Sequence, residues 1–176
     1  IAPMITADLP ANISRMSGIL VGDAGSGRSS CLIVLTRALA QLYQKQQSYI
    51  VPIYFRATDF LPYAEAQRTL YEYAAQIIAA DSVCQIDVLA AELKKYDANR
   101  QIFWLVDDMD RLSEVDQIQV LNHLAFCSCL LVSILPWYVE RTCQQLCSSP
   151  VRREHFGLFQ LADLDAAMQQ KIAGSF

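Results

Sequence analysis

One octapeptide constrains this chain more than any other stretch. Gly22-Asp23-Ala24-Gly25-Ser26-Gly27-Arg28-Ser29 has the spacing G-x-x-x-x-G-[K]-[ST], with Arg28 where lysine is usual. It follows a short apolar strand, Gly18 to Val21, and precedes a helical pattern free of Gly and Pro from Ser29 to about Lys45. Glycine reaches positive φ and brings no Cβ into a concavity, so a strand feeding a helix through three glycines can turn successive backbone N–H groups toward one point. The helix adds its first-turn N–H groups and the positive end of its dipole. The ligand that suits such a loop is a phosphate, cradled by Gly22, Asp23, Ala24, Gly25, Ser26, Gly27, Arg28, Ser29 and Ser30. Ser29 is the residue to offer a hydroxyl to Mg2+, and Ser30 an inner phosphate. The plainer alternative is a Gly/Ser turn that only joins a strand to a helix.

The rest of the chain alternates in the same way. Ile50 to Phe55 is a second strand, which tolerates Pro52 only near a sheet edge or at the strand start. A turn around Asp59 to Pro62 leads to a long helix from Ala64 to Ala80 and another from Ile86 to Tyr96. Ile102 to Val106 is an unbroken apolar strand ending in Asp107-Asp108. Ser113 and Asp116 resemble a cap opening a helix to about Phe126. Cys129 to Leu135 is a fourth strand, Trp137 to Leu146 a helix, Phe156 to Leu161 a fifth strand, and Asp163 opens a final helix. Strands too apolar to carry a wet face, separated by helices, predict an α/β fold: a three-layer αβα core with a mostly parallel five-stranded sheet and helices on both faces, one domain over residues 1–176. Strand C-termini share one edge of a parallel sheet, so Asp107 is expected beside the glycine loop, where a carboxylate holds a hydrated Mg2+. The alternative is a solvated turn of Asp107, Asp108 and Asp110.

Composition narrows the function. The 176 residues are 53% hydrophobic and 18% charged, which excludes a disordered chain. Net charge is −4 and the longest Lys/Arg run is Arg152-Arg153, so neither a nucleic-acid nor a membrane partner is expected. The uncharged stretch Gln117 to Val139 is interrupted by Asn122, His123, Ser128, Ser133 and Pro136, and fits a helix followed by a buried strand better than a membrane span. Residues 1–10 lack the basic and apolar regions of a leader, which leads to a cytoplasmic expectation. Six cysteines without a C-x-x-C pair read as reduced, buried thiols, and His123, Cys127 and Cys129 do not converge as metal ligands. Tyr63, Tyr71 and Tyr73 read as helix packing rather than a base-stacking platform, and Trp104 as core.

With both motifs in hand, the chain resembles NACHT domains, of the STAND class of signalling P-loop NTPases. Gly22 to Gly27 resembles the family loop G-x-A-G-x-G-K-[ST], and Leu105-Val106-Asp107-Asp108-Met109-Asp110-Arg111-Leu112 its acidic motif L-L-D-G-L-D-E-L. Val51-Pro52-Ile53-Tyr54-Phe55-Arg56 is similar to the proline-containing second strand, and Phe159-Gln160-Leu161-Ala162-Asp163-Leu164 to the end of the core. The resemblance runs from Gly18 to Phe176. It implies ATP or ADP bound with Mg2+, the metal held by Ser29 and Asp107, and Asp108, Asp110 and Ser133 as the catalytic set. It also implies a conformational switch within a larger multidomain protein, whose partners are nucleotide, the other domains of the same chain and a homo-oligomer on activation.

Three departures touch charge handling. Arg28 stands at the family's lysine, Arg111 where an acidic residue is common, and Leu135 of Ser133-Ile134-Leu135-Pro136 where T-S-R-P supplies the arginine that senses a γ-phosphate. They imply at most a slow ATPase. The alternative is a catalytically degenerate fold serving as an oligomerisation or scaffold domain without nucleotide function. A small-molecule kinase would need an acceptor pocket with a base and an Arg-rich lid, neither of which is legible.

Overall fold

The apolar runs become strands, and the strands pair in an order that chain sequence does not dictate. The computed structural model describes residues 16–80, 84–147 and 155–161. In it β1 (Met16–Val21), β2 (Val51–Arg56), β3 (Ile102–Asp107), β4 (Leu130–Ile134) and β5 (His155–Gln160) form one sheet in the order β2-β3-β4-β1-β5, with every pairing parallel. The connecting helices are α1 (Arg28–Gln44), α2 (Ala57–Glu65), α3 (Leu70–Ala79), α4 (Ile86–Ala98), α5 (Glu114–Leu124) and α6 (Val139–Cys147). Short 3-10 turns at Met109–Arg111 and Pro136–Tyr138 follow β3 and β4.

Alternation along the strands divides the core into two layers. Phe103, Leu105, Leu131 and Leu20 pack with Leu32 and Leu39 of α1 on one face. Trp104, Val106, Val132 and Ile19 pack on the other with residues of α2 to α6, among them Phe60, Tyr73, Leu93, Leu121 and Leu146. This is the αβα arrangement expected from the sequence. β3 and β4 are buried along their whole length, whereas β2, with Pro52, lies at the sheet edge, where a missing N–H costs no ladder bond. Gly18 of β1 faces Gly157 of β5, and any Cβ there would strike the Gly157 carbonyl and the Phe159 ring, so the β1–β5 approach depends on glycine.

Three expectations change. Asp59 to Pro62 is not a turn but lies inside α2, which starts at Ala57 directly after β2. The long helix from Ala64 to Ala80 is in fact the end of α2, a turn with Gln67 at φ 55°, and a separate α3. The break is a capping box: Thr69 Oγ accepts from the Glu72 N–H (3.2 Å) while the Glu72 carboxylate accepts from the Thr69 N–H (2.6 Å). Of the cysteines, Cys127 and Cys129 are buried, but Cys84 and Cys147 are exposed; all six are free thiols. The helix expected from Asp163 and the Arg152-Arg153 pair lie outside the described residues.

A buried carboxylate ties the layers together. Asp97, at the C-terminal end of α4 and 1% exposed, accepts from Trp104 Nε1 (3.1 Å), Tyr71 Oη (2.7 Å) and the Ser128 N–H (3.3 Å). Tyr71 is thereby committed to packing on Trp104, and Tyr73 packs edge-on with Tyr63 at 5.0 Å. Among the described residues, no helix is long and apolar enough to cross a membrane.

Candidate phosphate-binding site

All strands being parallel, Val21, Arg56, Asp107 and Ile134 end at one edge of the sheet, and the candidate residues collect there. The loop after β1 turns at Asp23, whose carbonyl accepts the Ser26 N–H (3.1 Å). Gly25 and Gly27 sit at φ 80° and 90°, in the left-handed region that favours glycine. Gly27 is the N-cap of α1 and its carbonyl accepts the Cys31 N–H (2.8 Å), so Arg28 is the first helical residue. Gly22 serves a different purpose: a Cβ there would collide with Ser26 Oγ, a buried hydroxyl with no hydrogen-bond partner. Asp23, Ala24, Gly25, Gly27, Ser29 and Ser30 line the exposed rim.

Behind this rim lies Asp107, the last residue of β3 and 3% exposed. Sequence reasoning expects it beside the loop; the sheet order places β4 between β1 and β3, so Ser133 of β4 stands next to it as well. Ser133 Oγ donates to one carboxylate oxygen of Asp107 and Tyr54 Oη to the other (3.1 Å). Ser29 and the Asp108 N–H lie near enough to favour its charged form. Burial alone would raise this carboxyl, but the bond from Ser133, the nearby Ser29 and Asp108 N–H and the bond from Tyr54 outweigh burial and hold it below the usual range, ionised at neutral pH. The same contact acts oppositely on Tyr54, whose phenol is pushed up to about 12 by burial and the Asp107 charge. Tyr54 belongs to the proline-containing strand but carries no role in the sequence reading. Its signal is faint: a tyrosine two residues before the end of a strand whose neighbour ends in aspartate.

The remaining charges are paired with each other. Arg28 donates from Nη1 to Asp110 Oδ1 (3.3 Å) and from Nη2 to Oδ2 (3.1 Å). Asp108 takes a left-handed conformation (φ 58°) and pairs with Arg111 Nε at 3.1 Å. Burial, followed by Asp107 and Asp110, raises its carboxyl above the ordinary value, against the opposing Arg111 and Arg56. Leu135, where the resemblance looks for an arginine, is a buried apolar residue closing the end of β4.

No family model and no curated protein matches the chain. Among solved structures it is similar to the ORC1 protein of Aeropyrum pernix, determined in complex with DNA, with a TM-score of 0.55 and 14% identity over 91% of this chain and 43% of that one. The chain thus spans less than half the length of that protein. The parallel sheet, its strand order and this likeness define the class, an α/β fold of the same kind as that protein's. One expectation is overturned by the same finding: the exclusion of nucleic acid on grounds of net charge does not hold, because the fold is shared with a protein solved on DNA. Net charge averages over a chain, whereas a nucleic-acid contact requires only a local set of donors.

Proposed function

We propose that the chain is a nucleotide-binding module of the NACHT-like, STAND kind, which takes ATP or ADP with Mg2+ and acts as a conformational switch within a longer protein. The observation that carries this reading is the convergence of Ser29, Ser133 and Tyr54, from three separate elements, on the ionised Asp107 behind a loop with two left-handed glycines. A hydroxyl and a carboxylate are hard oxygen donors, the set that Mg2+ prefers, so the residues present fit the ion. Ser29 and Asp107 would hold it, and when bound it would neutralise charge on the phosphate oxygens. Ser133 and Tyr54 orient the Asp107 carboxylate, and the loop backbone with the α1 N-terminus carries the phosphate. Asp108, with its raised basicity, is the group suited to orient a water. Adenine as the base, and the switch role, rest on the resemblance to NACHT domains.

Hydrolysis on this reading is slow or absent. Transition-state charge needs preorganised cations, while Leu135 is apolar and Arg28 is engaged by Asp110. The Arg28–Asp110 pair also favours the competing reading, a scaffold domain without nucleotide function.

Thermal unfolding with Mg2+ and ATP, ADP, GTP or no ligand separates the two. A ligand at a hundred times its Kd stabilises the native state by about 2.7 kcal/mol. For a chain of this size that corresponds to roughly 5–11 °C in Tm. Ser29→Ala and Asp107→Asn should abolish the rise that requires Mg2+. No shift at millimolar nucleotide in any of these proteins leaves the scaffold reading standing.

A further inference from the structure

The loop's cation is already occupied. Arg28 and Asp110 meet fork to fork at 3.3 and 3.1 Å across 82 residues of sequence, with side chains only 10% and 17% exposed. An exposed pair between flexible side chains would carry little meaning. This one joins the first residue of α1 to the 3-10 turn after β3, two rigid elements, and is largely withdrawn from solvent. A guanidinium binds carboxylate and phosphate with the same planar two-bond geometry, so Asp110 presents Arg28 with what a phosphate would present. The residue at Arg28's position in such a loop is the one that reaches the β- and γ-phosphates, whereas the loop backbone cradles the inner ones. The other cations at this edge, Arg111 and Arg56, stand in exposed pairs with Asp108 and Asp59, and Leu135 carries no charge.

Resting on the nucleotide reading above, we propose that Asp110 is a specificity-determining residue, an internal competitor that holds Arg28 away from the ligand. The terminal phosphate of a nucleoside triphosphate is then read only when the Arg28–Asp110 pair opens, while a diphosphate is accepted with the pair closed. Asp110 thus sets the balance between the two ligands without touching either.

The test is titration calorimetry of the full chain with Mg-ATP and with Mg-ADP, for wild type, Asp110→Asn and Arg28→Ala. Asp110→Asn keeps the shape and removes the charge that competes. It should tighten Mg-ATP at least tenfold and Mg-ADP less than threefold. Arg28→Ala removes the reader itself and should show none of that gain, its ATP/ADP ratio falling below that of the wild type. If Asp110→Asn does not fold, as judged by its melting transition without ligand, Asp110→Ser carries the same expectation. Binding of Mg-ATP by Asp110→Asn where wild type binds none would also support the proposal. An ATP/ADP ratio equal in wild type and Asp110→Asn overturns the competitor role and leaves nucleotide binding intact. Absence of binding in every protein overturns both.

Discussion

Replacing Asp97 by alanine should cost more stability than any surface change in this chain. The carboxylate is 1% exposed and accepts from the fully buried Trp104 indole (3.1 Å), from Tyr71 Oη (2.7 Å) and from the Ser128 N–H (3.3 Å). Each donor stranded in the interior costs about 1–3 kcal/mol. The indole N–H cannot turn away, whereas Tyr71 and Ser128 are only part-buried and recover some of their bonds from water. A total of roughly 3–5 kcal/mol follows, in the range measured for breaking a buried charged partner. For a chain of about this length it corresponds to a fall in Tm of roughly 6–20 °C. Because Trp104 lies in β3, three residues before Asp107, the variant should also weaken whatever response the wild type has to nucleotide. The assay is urea unfolding followed by far-ultraviolet circular dichroism, with Asp97→Leu/Trp104→Phe as the companion, since removing both partners together leaves no orphaned indole N–H. A loss below 1 kcal/mol in Asp97→Ala would refute the reasoning, for it would mean that the donors are satisfied some other way.

Two further outcomes follow from local contacts. Thr69→Ala removes the cap that separates α3 from α2 and should cost about 0.5–2 kcal/mol in chemical denaturation, with Thr69→Ser close to wild type. His123 packs edge-on against Phe60 at 5.4 Å, and burial holds its imidazole below the ordinary value of 6.5, partly offset by the nearby Ala64 backbone. The folded state therefore binds protons less readily than the unfolded one. Its contribution is complete above pH 6.5 and is lost as pH falls from there through the lowered value. Between pH 7.5 and 5.5 wild type should lose more unfolding free energy than His123→Phe; equal losses would show that His123 is not the group responsible.

The capping box at Thr69 shows where reading the sequence stops short. Thr69-x-x-Glu72 is a legible signature, but apolar residues continue at helical spacing on both sides of it, and periodicity alone runs the two helices together. Pro62 misleads in the opposite sense. It marks a turn in the abstract, yet Phe60 and Ala64 beside it are buried, and that packing on the sheet face holds it within α2.

At the site, local pattern and tertiary structure divide the work. The glycine loop and the apolar strand ending in Asp107 are determined by sequence alone, as is the limit of Pro52 to a sheet edge or a strand start, because each depends on a residue's own conformational limits or on which face it must bury. The positions of Ser133 and Tyr54 against Asp107, the capture of Arg28 by Asp110 and the burial of Asp97 were decided only in the fold. Strand periodicity records that a side chain points to one face, but not which strand lies alongside. The order β2-β3-β4-β1-β5, which brings residues 54, 107 and 133 to one point, arises from how the helices cover the two faces of the sheet.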